Sequence, residues 1–337
     1  MSHTKAEFLT LHYDLGMQIL VTGGAGFIGS HLCERLIKDG HMVTALDNFS
    51  TGRASNLLSL ENSPSFVLVE GSILDLETLK PLVEKADYVF HLAAAVGVFN
   101  IVNNPLASLL TNIRGTENVL EAAHSANKPV FLTSSSEVYG KNISDSLKES
   151  DDRILGSPVT LRWSYSEAKA IDESLAYAYH IEKNLETRIV RFFNTVGPRQ
   201  LGAYGMVVPR FVKSALTNEP ITIYGDGNQT RCFAHVYDVI DAVIAIAFVE
   251  NTIGKVINIG NDFEISINAL AKMIIEETSS RSEIIYVPYE EAYGDGFEDM
   301  ERRVPNIELI NQLVGWKPKR NLSTMIADMS AEMKKSL

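Results

Sequence analysis

Met17-Gln-Ile-Leu-Val-Thr22 runs directly into Gly23-Gly-Ala-Gly-Phe-Ile-Gly29. The first six residues carry a short apolar strand pattern. The glycines at 23, 26 and 29 follow it, and a helical pattern comes next, with Ile28, Leu32, Leu36 and Ile37 on one face and Gly40 at its end. One glycine permits the tight turn, one lets a pyrophosphate approach the backbone, and one lets helix and strand pack closely. The phosphates then sit on the helix N-terminus, where N–H groups without a helical partner and the helix dipole favour negative charge. Asp47 ends the next strand pattern, residues 42–46, about where a carboxylate accepts ribose hydroxyls and repels a 2′-phosphate. That favours NAD over NADP, with Arg53 the nearby cation that could act the other way.

Further strand patterns lie at 66–69, 88–92, 130–133 and 188–193, and helical stretches, among them 105–126 and 164–183, separate most of them. Such alternation means parallel strands joined by crossovers, hence a doubly wound α/β sheet of Rossmann type over residues 17–193. After Asn194 the texture changes. Gly197-Pro198, Gly202, Gly205, Pro209, Pro220, Gly225 and Gly227 punctuate short strands (221–224, 256–259) and short helices. Residues 194–337 therefore read mainly as a smaller α/β substrate lobe that closes over a ligand, with some of its strands or helices able to return to the first domain. Residues 1–16 read as an N-terminal extension.

The 337 residues are 45% hydrophobic and 21% charged, enough apolar material for a large core without a disulfide or metal staple. A net charge of −12 argues against a nucleic-acid partner. No apolar run has membrane-spanning length and no signal-peptide pattern opens the chain, so a cytoplasmic protein with no membrane partner is expected. Cys33 and Cys232 read as structural thiols in a reducing compartment, and the eight histidines show no metal-ligand spacing. No metal is expected.

Tyr165-Ser-Glu-Ala-Lys169 places a tyrosine and a lysine four residues apart, on one helix face. Upstream, Thr133-Ser-Ser-Ser-Glu-Val-Tyr-Gly140 lies at the end of a strand pattern, where parallel sheets put active-site groups. A hydroxyl there can bond a substrate oxygen beside the tyrosine. The lysine ammonium and a cationic nicotinamide would both lower the Tyr165 pKa, so that a phenolate could take the proton of a sugar hydroxyl.

Together these segments resemble the extended short-chain dehydrogenase/reductase family, in particular its NAD-dependent nucleotide-sugar epimerase, dehydratase and decarboxylase group. The resemblance runs from Met17 to about Trp316. Its marks are the glycine turn, Asp47-Asn-Phe-Ser-Thr-Gly52, His91-Leu-Ala-Ala94, Asn112 before Gly115-Thr116, Ser135-Ser-Glu-Val-Tyr-Gly140, Tyr165-x-x-x-Lys169 and Arg191-Phe-Phe-Asn-Thr-Val-Gly-Pro-Arg199. It implies Tyr165 as base, Lys169 as its partner and ribose ligand, and Ser135 as the hydroxyl that positions the sugar oxygen, with Ser136 and Glu137 beside it. The matching positions imply an NAD site of Gly23, Gly26, Phe27, Ile28, Gly29, Asp47, Asn48, Ser50, Thr51, Gly52, Ser72, Ile73, Leu92, Ala93, Ala94, Asn112, Thr133, Tyr165, Lys169 and Phe192. Ser72 departs from the family, which often has an acidic residue near the adenine.

In the second lobe the resemblance assigns substrate contacts to Asn194, Val207, Val208, Arg210, Tyr224 and Arg231. It adds Arg302, from Asp299-Met-Glu-Arg302, as a late phosphate clamp. A diphosphate suits bidentate arginines, and Arg231 and Arg302 come from distant segments that could converge. The implied partner is a nucleotide-sugar, UDP-linked above others, and the implied assembly is a homodimer through a four-helix bundle formed by the two long helices.

Members of this group begin by oxidising the sugar at carbon 4 and differ afterwards. Ser136-Glu137 stands where a 4,6-dehydratase has Asp-Glu, so the acid for a leaving hydroxyl is missing. Ser136, Glu137 and Arg231 are compatible with glucuronate decarboxylation. The Trp163-Ser-Tyr-Ser-Glu-Ala-Lys169 segment lacks the form usual in decarboxylases, and residues 192–233 and Gly296-Phe-Glu-Asp-Met300 look more like UDP-glucose 4-epimerases. The sequence reading is thus a UDP-hexose 4-epimerase first, a UDP-glucuronic acid decarboxylase second, then a dehydratase or a non-catalytic NAD-binding sensor.

Overall fold

A computed structural model describes residues 16–97, 101, 103–202, 206–288, 291, 300 and 302–335. Residues 1–15 of the expected extension, Gly205, residues 296–299 and Glu301 lie outside the described residues.

In chain order the first elements are β1 (Gln18–Thr22), α1 (Phe27–Lys38), β2 (Met42–Asp47), β3 (Phe66–Glu70), α2 (Leu76–Lys85), β4 (Tyr88–His91), α3 (Pro105–Ala126), β5 (Val130–Ser135), α4 (Ser164–Lys183) and β6 (Thr187–Phe192). Those that follow are β7 (Thr195–Val196), α5 (Val207–Thr217), β8 (Ile221–Tyr224), β9 (Thr230–Cys232), β10 (Ala234–His235), α6 (Val236–Ala247), β11 (Val256–Ile259), β12 (Glu264–Ser266), α7 (Ile267–Thr278), β13 (Ile284–Val287), α8 (Glu308–Val314) and α9 (Leu322–Lys334).

Seven strands form one parallel sheet in the order β11-β6-β5-β4-β1-β2-β3. β1 lies inside it and is apolar because helices cover both faces. Ile19 and Val21 pack towards Leu32 and Leu36 of α1, while Leu20 packs the other way, with Val119 and Leu120 of α3. Each such fully buried side chain is worth about 1.5–3 kcal/mol. The sheet accounts for the expected doubly wound fold.

Three elements after Asn194, β11, α6 and α8, return to the first domain. β11 had been read as one of the short strands of the second lobe; it pairs in parallel with β6, from Val256 opposite Ile189 to Ile259 opposite Phe192, and completes the sheet. The sequence of α6 is apolar nearly all round because it is buried between that sheet and α1, where Val239, Ile240, Val243 and Ile246 join the core. A second core lies in the C-terminal part. There Phe211 of α5, Ile223 of β8, Leu270 of α7 and Met325 of α9 meet. Cys33 and Cys232 are buried free thiols. Among the described residues no helix is long and apolar enough to cross a membrane.

Candidate active site

Main chain forms the first wall of the cleft. Gly23 has φ +72°, and a Cβ there would lie 2.7 Å from the Ala93 amide nitrogen. A Cβ on Gly29 would lie 2.1 Å from the Gly23 carbonyl oxygen, so any side chain would force turn and helix apart. Gly26 caps α1 with no side-chain bond, which leaves the first amides of the helix to a ligand.

Asp47 supports this turn from below. Its Oδ2 accepts from the Ala25 amide at 2.9 Å and its Oδ1 from the Phe49 amide at 2.8 Å. A carboxylate has about four acceptor positions, and with the Gly26 amide also bonded to Asp47 one remains for a ribose hydroxyl. Burial raises the Asp47 pKa while those amides lower it. Arg53 is exposed and is not among the described residues that line the cleft. The glycine cradle and this carboxylate fit NAD.

One cleft of about 490 Å³ takes in both halves of the chain. From the implied cofactor set, Phe27, Ile28, Asn48, Ser50, Thr51, Ser72, Ile73, Leu92, Ala93, Ala94, Thr133, Tyr165, Lys169 and Phe192 line it with Gly23, Gly26, Gly29 and Asp47. Gly52 and Asn112 do not. Gly52 packs on the Asp47 carboxylate, 2.9 Å from where its Cβ would be. Asn112 bonds both backbone groups of Ala95, at 2.8 and 3.2 Å, and so fixes the segment after β4. Ser72 Oγ accepts from the Leu74 amide at 3.2 Å.

Ser135 ends β5, and its hydroxyl is hydrogen-bonded to Tyr165 while accepting from the Glu137 amide at 3.2 Å. Lys169 lies one turn along α4 from Tyr165, its Nζ donating to the Thr133 carbonyl and to Asp172 Oδ2, each at 3.1 Å. The expected depression of the Tyr165 pKa is not what these side chains produce. Burial pushes the phenol up, the Glu137 and Asp172 carboxylates push the same way, and only the Ser135 bond opposes them. The Lys169 ammonium also faces the buried Asp172 carboxylate.

Ser136 and Glu137 follow Ser135 in a short 3-10 turn that aims them into the cleft. Arg162 Nη1 donates to Glu137 Oε2 at 2.6 Å, and Arg303 Nη1 approaches Glu137 Oε1 at 2.9 Å and Ser136 Oγ at 3.2 Å. Burial alone would raise Glu137; the two guanidiniums outweigh it and hold the carboxyl at about 2. Glu137 is therefore a fixed anion at neutral pH. The arginine that meets this pair is Arg303, not Arg231.

The sequence reading missed both arginines of this cluster. Arg162 stands three residues before Tyr165, in the 3-10 turn that leads into α4. Arg303 adjoins Arg302, and only the direction of the backbone chooses between them. Arg302 is part-exposed, bonds Glu264 through Nε at 2.7 Å and Nη2 at 2.9 Å, bonds the Asp145 carbonyl at 2.6 Å, and does not line the cleft. Asn194, Val207, Val208, Arg210, Tyr224 and Arg231 do line it. The Arg210 guanidinium lies over the Tyr224 ring at 4.2 Å, a flat platform of the kind that takes a base.

The chain is 42% identical over 300 residues to the UDP-N-acetyl-alpha-D-glucosaminuronate decarboxylase of Bacillus cytotoxicus, covering 89% of this chain and 92% of that protein. It is 36% identical to UDP-glucuronic acid decarboxylase 1 of Xenopus tropicalis, covering 89% and 68%. A solved UDP-glucuronic acid 4-epimerase of Bacillus cereus, in complex with UDP-glucuronic acid and NAD, superposes with a TM-score of 0.86 at 30% identity over 95% and 100% of the two chains. Residues 19–260 match the NAD dependent epimerase/dehydratase family, and the chain belongs to it.

Proposed function

We propose that this protein is an NAD-dependent decarboxylase of a UDP-linked uronic acid. The observation that carries the reading is Glu137, a fixed anion held between Arg162 and Arg303 next to Ser136, Ser135 and Tyr165. The two decarboxylase relatives support it above the 4-epimerase that the sequence segments favoured.

The chemistry follows from this arrangement. NAD, held by the glycine turn and Asp47, supplies reversible hydride acceptance. Tyr165 and Ser135 hold the oxygen at carbon 4, and Tyr165 takes and returns its proton. A uronate oxidised at carbon 4 is a β-keto acid. Its C5–C6 bond breaks, carbon dioxide leaves, and the electron pair passes into a C4–C5 enolate whose oxygen lies at the Tyr165 and Ser135 hydroxyls. Carbon 5 then takes a proton, and the ketone at carbon 4 is reduced again to a hydroxyl. Arg162 and Arg303 give the C6 carboxylate a counter-charge, while the Glu137 anion beside it favours departure as a neutral molecule. Arg210, Tyr224 and Arg231 are assigned to the nucleotide end of the substrate.

The test is incubation with UDP-glucuronate, its 2-acetamido counterpart and UDP-glucose, followed by mass and NMR analysis. Loss of one carbon dioxide from either uronate is the expected result. Unchanged mass with an inverted carbon 4 would establish the 4-epimerase instead, a reading favoured by the Bacillus cereus structure. A homodimer through α3 and α4 belongs to the same proposal. Leu106 on α3 and Ile171, Tyr177 and Ile181 on α4 are exposed apolar residues for it to cover, and light scattering of the purified protein checks the mass.

A further inference from the structure

The edge strand β11 has a single polar residue. Asn258 stands between Ile257 and Ile259, is fully buried, and lies opposite Arg191 of β6. Both ends of its amide are used. Oδ1 accepts from the Tyr139 hydroxyl at 2.8 Å, and Nδ2 donates to the Leu147 carbonyl at 2.9 Å and to the Asn306 carbonyl at 3.4 Å. Carbonyls can only accept, so these two fix which end of the amide faces them. The Asn258 backbone amide donates to Glu149 Oε1 at 2.8 Å.

The partners of this amide lie on the two segments that meet in the cleft. Tyr139 closes the 3-10 turn that carries Ser136 and Glu137. Leu147 and Asn306 hold the segment that carries Arg303. The Leu147 amide donates to the Val304 carbonyl and the Asn306 amide to the Leu147 carbonyl, each at 2.8 Å, around a parallel bridge between Leu147 and Pro305. Successive side chains of an extended segment point to opposite sides, so a slip of one residue here would put Arg302 where Arg303 stands.

We propose that Asn258 is a positioning residue: bonded to Tyr139 on one side and to Leu147 and Asn306 on the other, it holds the Arg303 guanidinium at Ser136 and Glu137. The inference rests on the reading above, in which that cluster meets the substrate carboxylate. Asn258 acts from beneath the cleft, which neither it nor Tyr139, Leu147 or Asn306 lines. The groups that face Glu137 are Arg162 from the turn before α4, Arg303 from the late segment and Tyr165 of α4. Of the two guanidiniums, Arg303 acts the more strongly on the Glu137 carboxyl, so a displaced Arg303 registers there.

The experiment is a double-variant cycle on release of carbon dioxide from UDP-glucuronate and its 2-acetamido counterpart. Asn258→Ala should lower kcat about tenfold, with KM and bound NAD changed no more than about twofold. In an Arg303→Ala background it should cost no more than about twofold further, because the group it positions is gone. Should Asn258→Ala not fold, Tyr139→Phe takes its place in the cycle; it opens no cavity, and the Arg191 guanidinium still covers the ring at 4.8 Å. The full loss in both backgrounds, or a variant as fast as the parent, overturns the proposal. A second readout needs no substrate and separates this inference from the decarboxylase reading. The Glu137 carboxyl, followed by carbon NMR and assigned by its absence from Glu137→Gln, should titrate at least about one pH unit higher in Arg303→Ala than in the parent, and Asn258→Ala should move it the same way. A Glu137 carboxyl unmoved by Asn258→Ala overturns the proposal whatever product the enzyme makes.

Discussion

Around the glycine turn the cleft is walled by main chain. Gly23, Gly26 and Gly29 present backbone atoms, and Asp47 holds the turn by accepting the Ala25 and Gly26 amides. At the far end the wall is made of side chains drawn from remote segments. Ser136 and Glu137 follow β5, Arg162 precedes α4, and Arg303 arrives from beyond β13. The contrast suits two tasks. A cofactor shared by a whole family can be held by backbone geometry, which tolerates few changes. A reaction that differs between relatives is set by side chains, which can be exchanged while the sheet stays the same.

Tyr165 joins the two ends, and its loss is the largest expected effect. Tyr165→Phe should lower turnover about a thousandfold while NAD stays bound, since proton transfer by a placed side chain contributes about 10²–10⁴-fold. Single-turnover kinetics and the NAD released on denaturation check both halves of that statement. Activity like the parent's would remove Tyr165 from the chemistry.

Gly29→Ala should act on the cofactor end alone in kind, though severely. Its Cβ would sit 2.1 Å from a carbonyl oxygen, which no side-chain rearrangement relieves. We expect the variant to purify without NAD and to bind it at least tenfold more weakly by calorimetry. Retained NAD would break the claim that this wall is main chain.

The adjacent arginines sharpen the comparison further. Arg303→Ala should cost about a hundredfold in turnover with NAD binding unchanged, the scale on which removing one donor from a charged site acts. Arg302→Ala should change turnover by no more than about threefold, since a part-exposed ion pair of the kind it makes with Glu264 is worth about 1 kcal/mol or less. Equal effects would mean that both arginines serve the substrate.

The smallest effect is on stability against acid. Glu137 falls from an ordinary value near 4.5 to about 2 in the folded chain. Its contribution is therefore present above pH 4.5 and is lost as the pH falls towards 2. Urea unfolding at about pH 3 should show roughly 2 kcal/mol less from this group than at about pH 6. Glu137→Gln should lack that pH-dependent part; the same slope in both proteins would detach it from Glu137.

The same contrast explains how much could be read before folding. The glycine turn, Asp47 and the Tyr165–Lys169 spacing are local patterns, each set by the geometry of one strand end or one helix turn, and all of them meet in the cleft. The long helices α3 and α4 were legible for the same reason. Which strand after Asn194 returns to the sheet was open in the sequence, because the four residues of β11 fit a small lobe and a sheet edge alike. Only its register against β6 decides between them. Burial, which pushes the Tyr165 phenol up in the protein alone, is a tertiary effect that the Tyr165–Lys169 spacing does not carry.

By itself the sequence determined the parallel sheet and the cofactor, and it placed Tyr165 and Lys169 on one helix face. Each rests on interactions within about one helical turn or one strand-to-helix junction, where spacing is geometry. Tertiary structure alone decided which of two neighbouring arginines enters the cleft, that Glu137 is a fixed anion, and that Lys169 and Asp172 are buried together. Those outcomes depend on burial and on charges brought together from segments as much as 167 residues apart, and no local pattern carries either.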